Sequence, residues 1–128
     1  MNKKIPEITV NIFGTDYSVK QLFNEESPEK FEDANGYTEL YSNEIIIRTG
    51  FENDKETYNN VDNFKLKVLR HELFHAIFYE CGCPWYCDDE NLVEFMSINF
   101  EKILRIIRKA EDNFSLTNRN IDDAEATK

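Results

Sequence analysis

Residues 71–75 of the 128-residue chain read HELFH and contain both of its histidines. They lie in a stretch from about Asp62 to Cys81 whose apolar residues recur with the period of an α-helix, and Gly82 and Pro84 end that pattern. On a helix, residues four positions apart lie about 40° apart on one face, so both imidazoles can approach one point. The sequence therefore predicts an amphipathic helix that carries both histidines on one face.

The side of this helix opposite the histidines is apolar and is predicted to face a core. Its members are Leu66, Leu69, Leu73, Ala76 and Ile77. Zinc binds neutral imidazole nitrogens, and a catalytic zinc site has three protein ligands and one position for water. We therefore predict that His71 and His75 bind one zinc ion per chain, with Glu72 as general base towards zinc-bound water. The alternative is a pair of partly buried histidines satisfied by hydrogen bonds, with Glu72 in solvent.

The first helix does not easily supply a third ligand. One known arrangement places a third histidine ten residues after the first, beyond a turn that requires glycine. Here those two positions hold Cys81 and Phe78. Without the glycine the chain should stay helical and Cys81 should face away from the ion. The third ligand is therefore expected from a different element.

A second helical pattern follows, with Asp88 or Asp89 as its cap and its end near Ala110. Glu90 and Glu94 share one face of this helix, and apolar residues occupy the other. A carboxylate on this helix, packed across the first helix, is the predicted third ligand. The alternative is that both glutamates only stabilise the helix N-terminus through its dipole.

Two stretches carry a family resemblance: KVLRHELFHAIFYECG, and DDENLVEFMSINFEKI after it. HExxH followed by E-x-x-x-E on the next helix resembles the gluzincin branch of zinc metallopeptidases. The stretches also resemble small zinc-peptidase-like proteins of bacteriophages and mobile elements, of the ImmA/IrrE or minimal gluzincin type. GYTELYSNEIIIR resembles the strand that precedes their active-site helix. The likeness covers about residues 36–107 and implies a zincin-like fold.

The resemblance also implies roles for the two glutamates. Glu90 would be the third zinc ligand, and Glu94 would hold the ring of His71 and fix its tautomer. Glu94 stands where aspartate is common, and the span between His75 and Glu90 is short. Both departures leave open whether Glu90 and Glu94 exchange roles.

The N-terminal half is predicted to form a small antiparallel or mixed sheet. Its strand-like stretches are 8–13 and 17–22, joined as a hairpin by a turn at 14–16, and 37–41 and 44–49. Ser27 and Pro28 predict the start of a short acidic helix or loop that Gly36 ends, and a polar connection covers 51–60. We predict one α+β domain over residues 1–113, with the sheet before the HExxH helix and the second zinc-ligand helix. Residues 114–128 are predicted to be a polar, flexible tail.

Composition limits the classes of partner. A net charge of −10 and a pI near 4.6 argue against nucleic acid and against anionic membrane surfaces. No stretch approaches the roughly 20 apolar residues of a transmembrane helix. Cys81, Cys83 and Cys87 fit a reducing compartment, so we predict the cytoplasm. The resemblance to phage proteins implies that this is the cytoplasm of a bacterial host cell. We predict the three cysteines to be small buried hydrophobes at a helix end; a second metal site or a thiol switch on the zinc are the alternatives.

These features predict a zinc-dependent metallopeptidase that hydrolyses peptide bonds of a protein or peptide substrate. The strand EIIIR is either a candidate edge strand for holding an extended substrate or a plain core strand. Tyr37, Tyr41, Tyr79 and Tyr86 are candidate donors to the developing oxyanion. The alternative is a catalytically inactive, zinc-stabilised binding or regulatory protein of a phage or mobile element. An intact Glu72 favours the enzyme, because a protein that only binds has no use for a base beside the metal.

Overall fold

The computed structural model describes residues 5–50 and 60–126 and shows an α+β protein, as predicted. Most of the predicted connection over 51–60 lies outside the described residues. The chain divides into two compact units, Met1–Ser97 and Ile98–Lys128. In chain order the elements are β1 (Ile8–Ile12), β2 (Thr15–Leu22), a 3₁₀ turn (Asn24–Glu26), α1 (Pro28–Phe31), β3 (Gly36–Glu39), β4 (Glu44–Arg48), α2 (Val61–Glu80), α3 (Pro84–Cys87) and α4 (Glu90–Ala126).

The predicted N-terminal hairpin is present. Strands β1 and β2 pair antiparallel, with Ile12 opposite Thr15. The two residues between them, Phe13 and Gly14, have φ of 50° and 96°, and a positive φ at both positions is what a type I′ turn requires. The Gly14 amide donates to Oδ1 of Asn11 at 3.0 Å. The turn therefore begins one residue earlier than predicted.

The four strands form one mixed sheet in the order β1-β2-β4-β3. Strand β2 pairs parallel with β4, and β4 pairs antiparallel with β3. The proposal that EIIIR is an edge strand is wrong, because β4 lies between two neighbours and buries Ile45, Ile46 and Ile47. Three consecutive β-branched residues suit such an interior strand, which is covered on both faces. Within the described part of the chain, β3 forms this edge of the sheet.

Helix α2 packs its apolar side against the sheet. The buried cluster joins Tyr17, Val19 and Ile45 from the sheet to Ala76 from the helix. Leu69, Leu73 and Ile77 are partly buried against this cluster. The prediction that Leu66 belongs to the core side is wrong, because it is 44% exposed. Leu66 lines an open groove near the start of α2, together with residues of the sheet such as Ile8 and Val19.

The end of α2 is attached to the hairpin. Glu80 accepts a hydrogen bond from the Tyr17 hydroxyl at 2.8 Å and one from Thr15 Oγ1 at 2.9 Å. Burial, and then the bond to Glu80, raise the pKa of Tyr17 above its usual value. Glu80, which in the sequence would be interpreted as a surface charge, is therefore a structural residue. It connects two elements that are far apart in the sequence.

Gly36 sets the distance between the edge strand and the helix. A Cβ at this position would lie 2.6 Å from Cγ1 of Val68 and 3.0 Å from the carbonyl oxygen of Ile46. Because the Ile46 carbonyl belongs to the sheet, only the helix can give way. The glycine is thus needed for close packing rather than as the predicted helix stop, since α1 already ends at Phe31.

We expect Gly36→Ala to lower the free energy of unfolding by about 1–3 kcal/mol, since overpacking must push α2 away from β3. Urea unfolding measures this change. Val68→Ala removes the nearest clashing atom, so the double variant should recover part of the loss in a double-mutant cycle. Strictly additive effects of the two substitutions would contradict the packing explanation.

Two turns lead from α2 into α4. Gly82 has a φ of 90°, and the Cys83 amide donates to the carbonyl of Phe78 at 3.2 Å, which is the bonding of a Schellman helix end. Pro84 then starts the short α3, where its missing amide hydrogen costs nothing. Oδ1 of Asp89 accepts the Leu92 amide at 3.0 Å, so the predicted cap of the second helix is present.

The predicted end of this helix near Ala110 is wrong, because α4 continues to Ala126. The sequence after Asn113 is polar, but residues 113–126 contain neither glycine nor proline, so no local signal ends the helix. The division into a domain over 1–113 and a flexible tail stays a prediction. None of the helices in the described ranges is long and apolar enough to cross a membrane.

Candidate metal centre

Three side chains from two helices meet within the first unit. Nε2 of His71, Nε2 of His75 and a carboxylate oxygen of Glu90 all lie within 4.8 Å of one another, as in a group that could hold a metal ion. The two Nε2 atoms are 3.3 Å apart. The Glu90 carboxylate lies 2.9 Å from Nε2 of His71 and 3.2 Å from Nε2 of His75. These are the three residues predicted as zinc ligands from the sequence.

The other ring nitrogens fix the tautomer of each histidine. Nδ1 of His71 lies 2.8 Å from Oε2 of Glu94, and Nδ1 of His75 contacts the carbonyl oxygen of Cys87. Because a carboxylate and a carbonyl only accept, each Nδ1 carries the hydrogen and donates it. In the neutral rings, each Nε2 therefore presents a lone pair.

This arrangement fits zinc. Two lone pairs and a carboxylate converge, so they repel one another unless a cation or added protons lie between them. In a tetrahedral site with bonds of about 2.05 Å, ligand atoms lie about 3.3 Å apart. The observed separations of 2.9–3.3 Å are close to that spacing. Two imidazoles and one carboxylate are also a donor set that catalytic zinc sites use.

Glu72 lies beside this cluster and is only 7% exposed. This burial contradicts the alternative in which Glu72 lies in solvent. Oε1 of Glu72 accepts a hydrogen bond from Oγ1 of Thr38 at 2.9 Å. Burial raises the pKa of Glu72, and the Thr38 bond and the two histidines oppose that rise.

Thr38 is a residue that sequence reasoning missed. It lies on β3, and its hydroxyl contacts both the side chain of Glu72 and the backbone carbonyl of Glu72, at 2.9 and 3.0 Å. It thereby fixes the rotamer of the predicted base against the edge of the sheet. The carbonyl of Cys87 was also missed, since a backbone group leaves no signal in the sequence. The signal for Thr38 was its place in GYTEL, the strand-like stretch directly before EIIIR.

An open cleft of about 500 Å³ leads to the cluster. Glu72, His71, His75 and Glu90 line one side of it, and the other side is the edge strand and the loop before it. The lining residues from that side are Asp33, Ala34, Gly36, Tyr37, Thr38 and Leu40. The three converging side chains can therefore be reached from solvent.

The four tyrosines considered as oxyanion donors differ in position. Tyr37 lines the cleft, and its hydroxyl lies 3.1 Å from Oγ of Ser27. Tyr41 is fully exposed, and Tyr79 and Tyr86 are exposed as well. The ring of Tyr86 contacts Phe78. Of the four, Tyr37 is the one that the cleft contains.

The cysteines are only partly as predicted. Cys87 is buried, Cys83 is half-buried and Cys81 is exposed, so the interpretation as three buried hydrophobes is wrong for Cys81. Cys81 directly follows the last residue of α2 and is exposed to solvent. Burial raises the pKa of the Cys87 thiol, which disfavours the thiolate that binds metals. The group that could hold a metal contains no cysteine among the described residues.

We expect the triple replacement of Cys81, Cys83 and Cys87 by alanine to leave the zinc stoichiometry unchanged. The contact of Cys87 with His75 uses its backbone carbonyl, which alanine retains. Thermal stability should fall modestly, because only Cys87 is buried. Elemental analysis of the folded variant checks this expectation. If the triple variant loses its zinc while its circular dichroism spectrum stays that of a folded protein, a cysteine rather than Glu90 is the third ligand.

No family model, curated protein or solved structure matches this chain. Function therefore has to be argued from the site itself.

Proposed function

We propose that this protein is a zinc-dependent metallopeptidase that cleaves protein or peptide substrates. One observation carries the proposal. The Nε2 atoms of the two histidines converge with the Glu90 carboxylate in an open cleft, and the buried Glu72 lies beside them. A zincin-like arrangement of sheet, HExxH helix and second ligand helix is part of the same proposal. The sequence resemblance to small phage and mobile-element peptidases supports it. A setting in the bacterial cytoplasm belongs to the same proposal.

Each residue of the cluster has a distinct role in this proposal. His71, His75 and Glu90 hold the ion, which when bound polarises a carbonyl and makes water more acidic. Glu94 keeps Nδ1 of His71 protonated, so that Nε2 faces the ion. The Cys87 carbonyl does the same for His75.

Glu72 acts as the proton carrier. Its carboxylate lies beside the ligand cluster, and one oxygen accepts the Thr38 hydroxyl. The Thr38 bond holds the carboxylate in place, so it can take a proton from the attacking water and deliver it to the leaving amine. Its burial keeps bulk water from competing for that proton.

The edge strand supplies a place for an extended substrate. Strand β3 pairs with β4 on one side, and residues of β3 line the cleft beside the cluster. A peptide could pair its backbone with this edge and so extend the sheet. Its scissile bond would then lie beside the three ligands. This role falls to β3 rather than to EIIIR.

Metal content and activity together test the proposal. We expect about one zinc per purified chain, and loss of zinc in His71→Ala and in His75→Ala with lower thermal stability. Glu101→Ala, an exposed position on α4, should keep its zinc and serves as the matched control. Hydrolysis of a panel of unstructured proteins should stop with a chelator and return with added zinc.

The outcomes separate the two functional classes. Full zinc occupancy in both histidine variants would overturn the metal site. Zinc at one per chain without cleavage of the panel or of host lysate proteins would instead favour the zinc-stabilised binding protein.

A further inference from the structure

The part of α4 that lies in the second unit carries an apolar stripe. Its members are spaced alternately four and three apart, the heptad pattern of a coiled coil: Ile103, Ile107, Ala110, Phe114, Thr117 and Ile121. Ile107, Phe114 and Ile121 are 47%, 67% and 51% exposed. A regular stripe of this length, with large exposed side chains, is typical of a helix that pairs with another helix.

The one polar member of the stripe is compatible with burial. The hydroxyl of Thr117 donates to the backbone carbonyl of Asn113 at 2.9 Å, within the same helix. Its hydrogen bond is thus already made, and its methyl group can face an apolar partner at little desolvation cost.

The sizes of the side chains favour pairing with a second copy of this helix in antiparallel rather than parallel orientation. With a twofold axis level with Asp112, each layer of the interface joins positions that complement one another. Phe114 then lies opposite Ala110 of the second copy, and Ile103 opposite Ile121. A parallel pair would instead place Phe114 on Phe114 and Ala110 on Ala110, which alternates overpacked layers with voids.

The distribution of charged residues along the helix also favours the antiparallel orientation. Residues 101–110 contain four basic residues and one acidic residue, whereas residues 111–123 contain four acidic residues and one basic residue. Antiparallel pairing places the basic half of one helix along the acidic half of the other. Parallel pairing would place like charges together along the whole length.

We propose that residues 103–121 form an antiparallel two-helix coiled coil with a second copy of the chain, so that the protein is a homodimer. The pairing uses the second unit and does not depend on the proposed function. Each dimer then presents two copies of the unit that carries the candidate metal centre.

Mass measurement on the full chain tests the pairing. Light scattering and sedimentation over a hundredfold concentration range should give twice the chain mass of 15.2 kDa at the upper end. Phe114→Asp places a charge in the centre of the interface and should weaken dimerisation at least about a hundredfold. Leu116→Asp introduces the same charge in place of another exposed apolar side chain, off the stripe, and should leave the dimer intact.

Both positions are exposed, so circular dichroism should show each variant folded. A wild-type mass of one chain at all concentrations would overturn the proposal, and so would equal weakening by Phe114→Asp and Leu116→Asp.

Orientation is tested by a photo-crosslinking amino acid at Ile103. With isotope-mixed dimers, mass spectrometry identifies the cross-links between copies. Antiparallel pairing predicts products that join this position to the region of Ile121. Products that join it to its own region in the second copy would overturn the antiparallel register.

Discussion

The Glu72→Gln protein is expected to keep its zinc and to lose at least about a hundredfold in kcat/KM for peptide hydrolysis. Glutamine has the shape of glutamate, and its amide oxygen can still accept the Thr38 hydroxyl, so the local structure should persist. It cannot take up a proton, however, so the attacking water loses its base. Steady-state cleavage of an identified substrate, together with elemental analysis, measures both quantities.

The matched control is Glu101→Gln, which makes the same change at an exposed position of α4. It should retain full activity. Equal cleavage rates and products from wild type and Glu72→Gln would mean that the proteolysis comes from a contaminant. The zinc-stabilised binding protein would then become the better description.

The second large effect concerns Glu90. Glu90→Ala removes a group that lies 2.9 and 3.2 Å from the two Nε2 atoms, so zinc affinity and activity should fall together. Glu94→Ala removes only the partner of Nδ1 of His71 and should weaken zinc binding by roughly 10- to 100-fold. We expect the loss in Glu90→Ala to be larger than that.

Competition with a chromophoric chelator measures both affinities, with Glu101→Ala as a control that should not change. The order of the two losses is the decisive result. A larger loss in Glu94→Ala would mean that the two glutamates exchange roles.

The helix that contains HELFH could be predicted because the residues that define it are close together in the sequence. Helical period, the Gly82 turn and the cap at Asp89 all lie within a few residues of the elements that they define. The same is true of the hairpin at Phe13 and Gly14. Local patterns also place Glu90 and Glu94 on one helix face.

The features that were missed depend on contacts between distant residues. The bond from Thr38 to Glu72 and the close packing at Gly36 arise only once the edge strand lies against α2. The parallel pairing of β2 with β4 likewise has no local signature, so the position of EIIIR inside the sheet could not be deduced. Burial of Glu72 follows from the same tertiary contacts.

The placement of the metal cluster along the chain has a consequence for folding order. His71, His75, Glu90 and Glu94 all fall within residues 71–94, whereas the bond between Tyr17 and Glu80 closes a separation of 63 residues. Short loops close at a lower entropic cost than long ones, so the α2–α4 turn region can assemble before the sheet docks. If the proposed metal site is correct, zinc binding would stabilise this local unit before the hairpin and the edge strand pack against it.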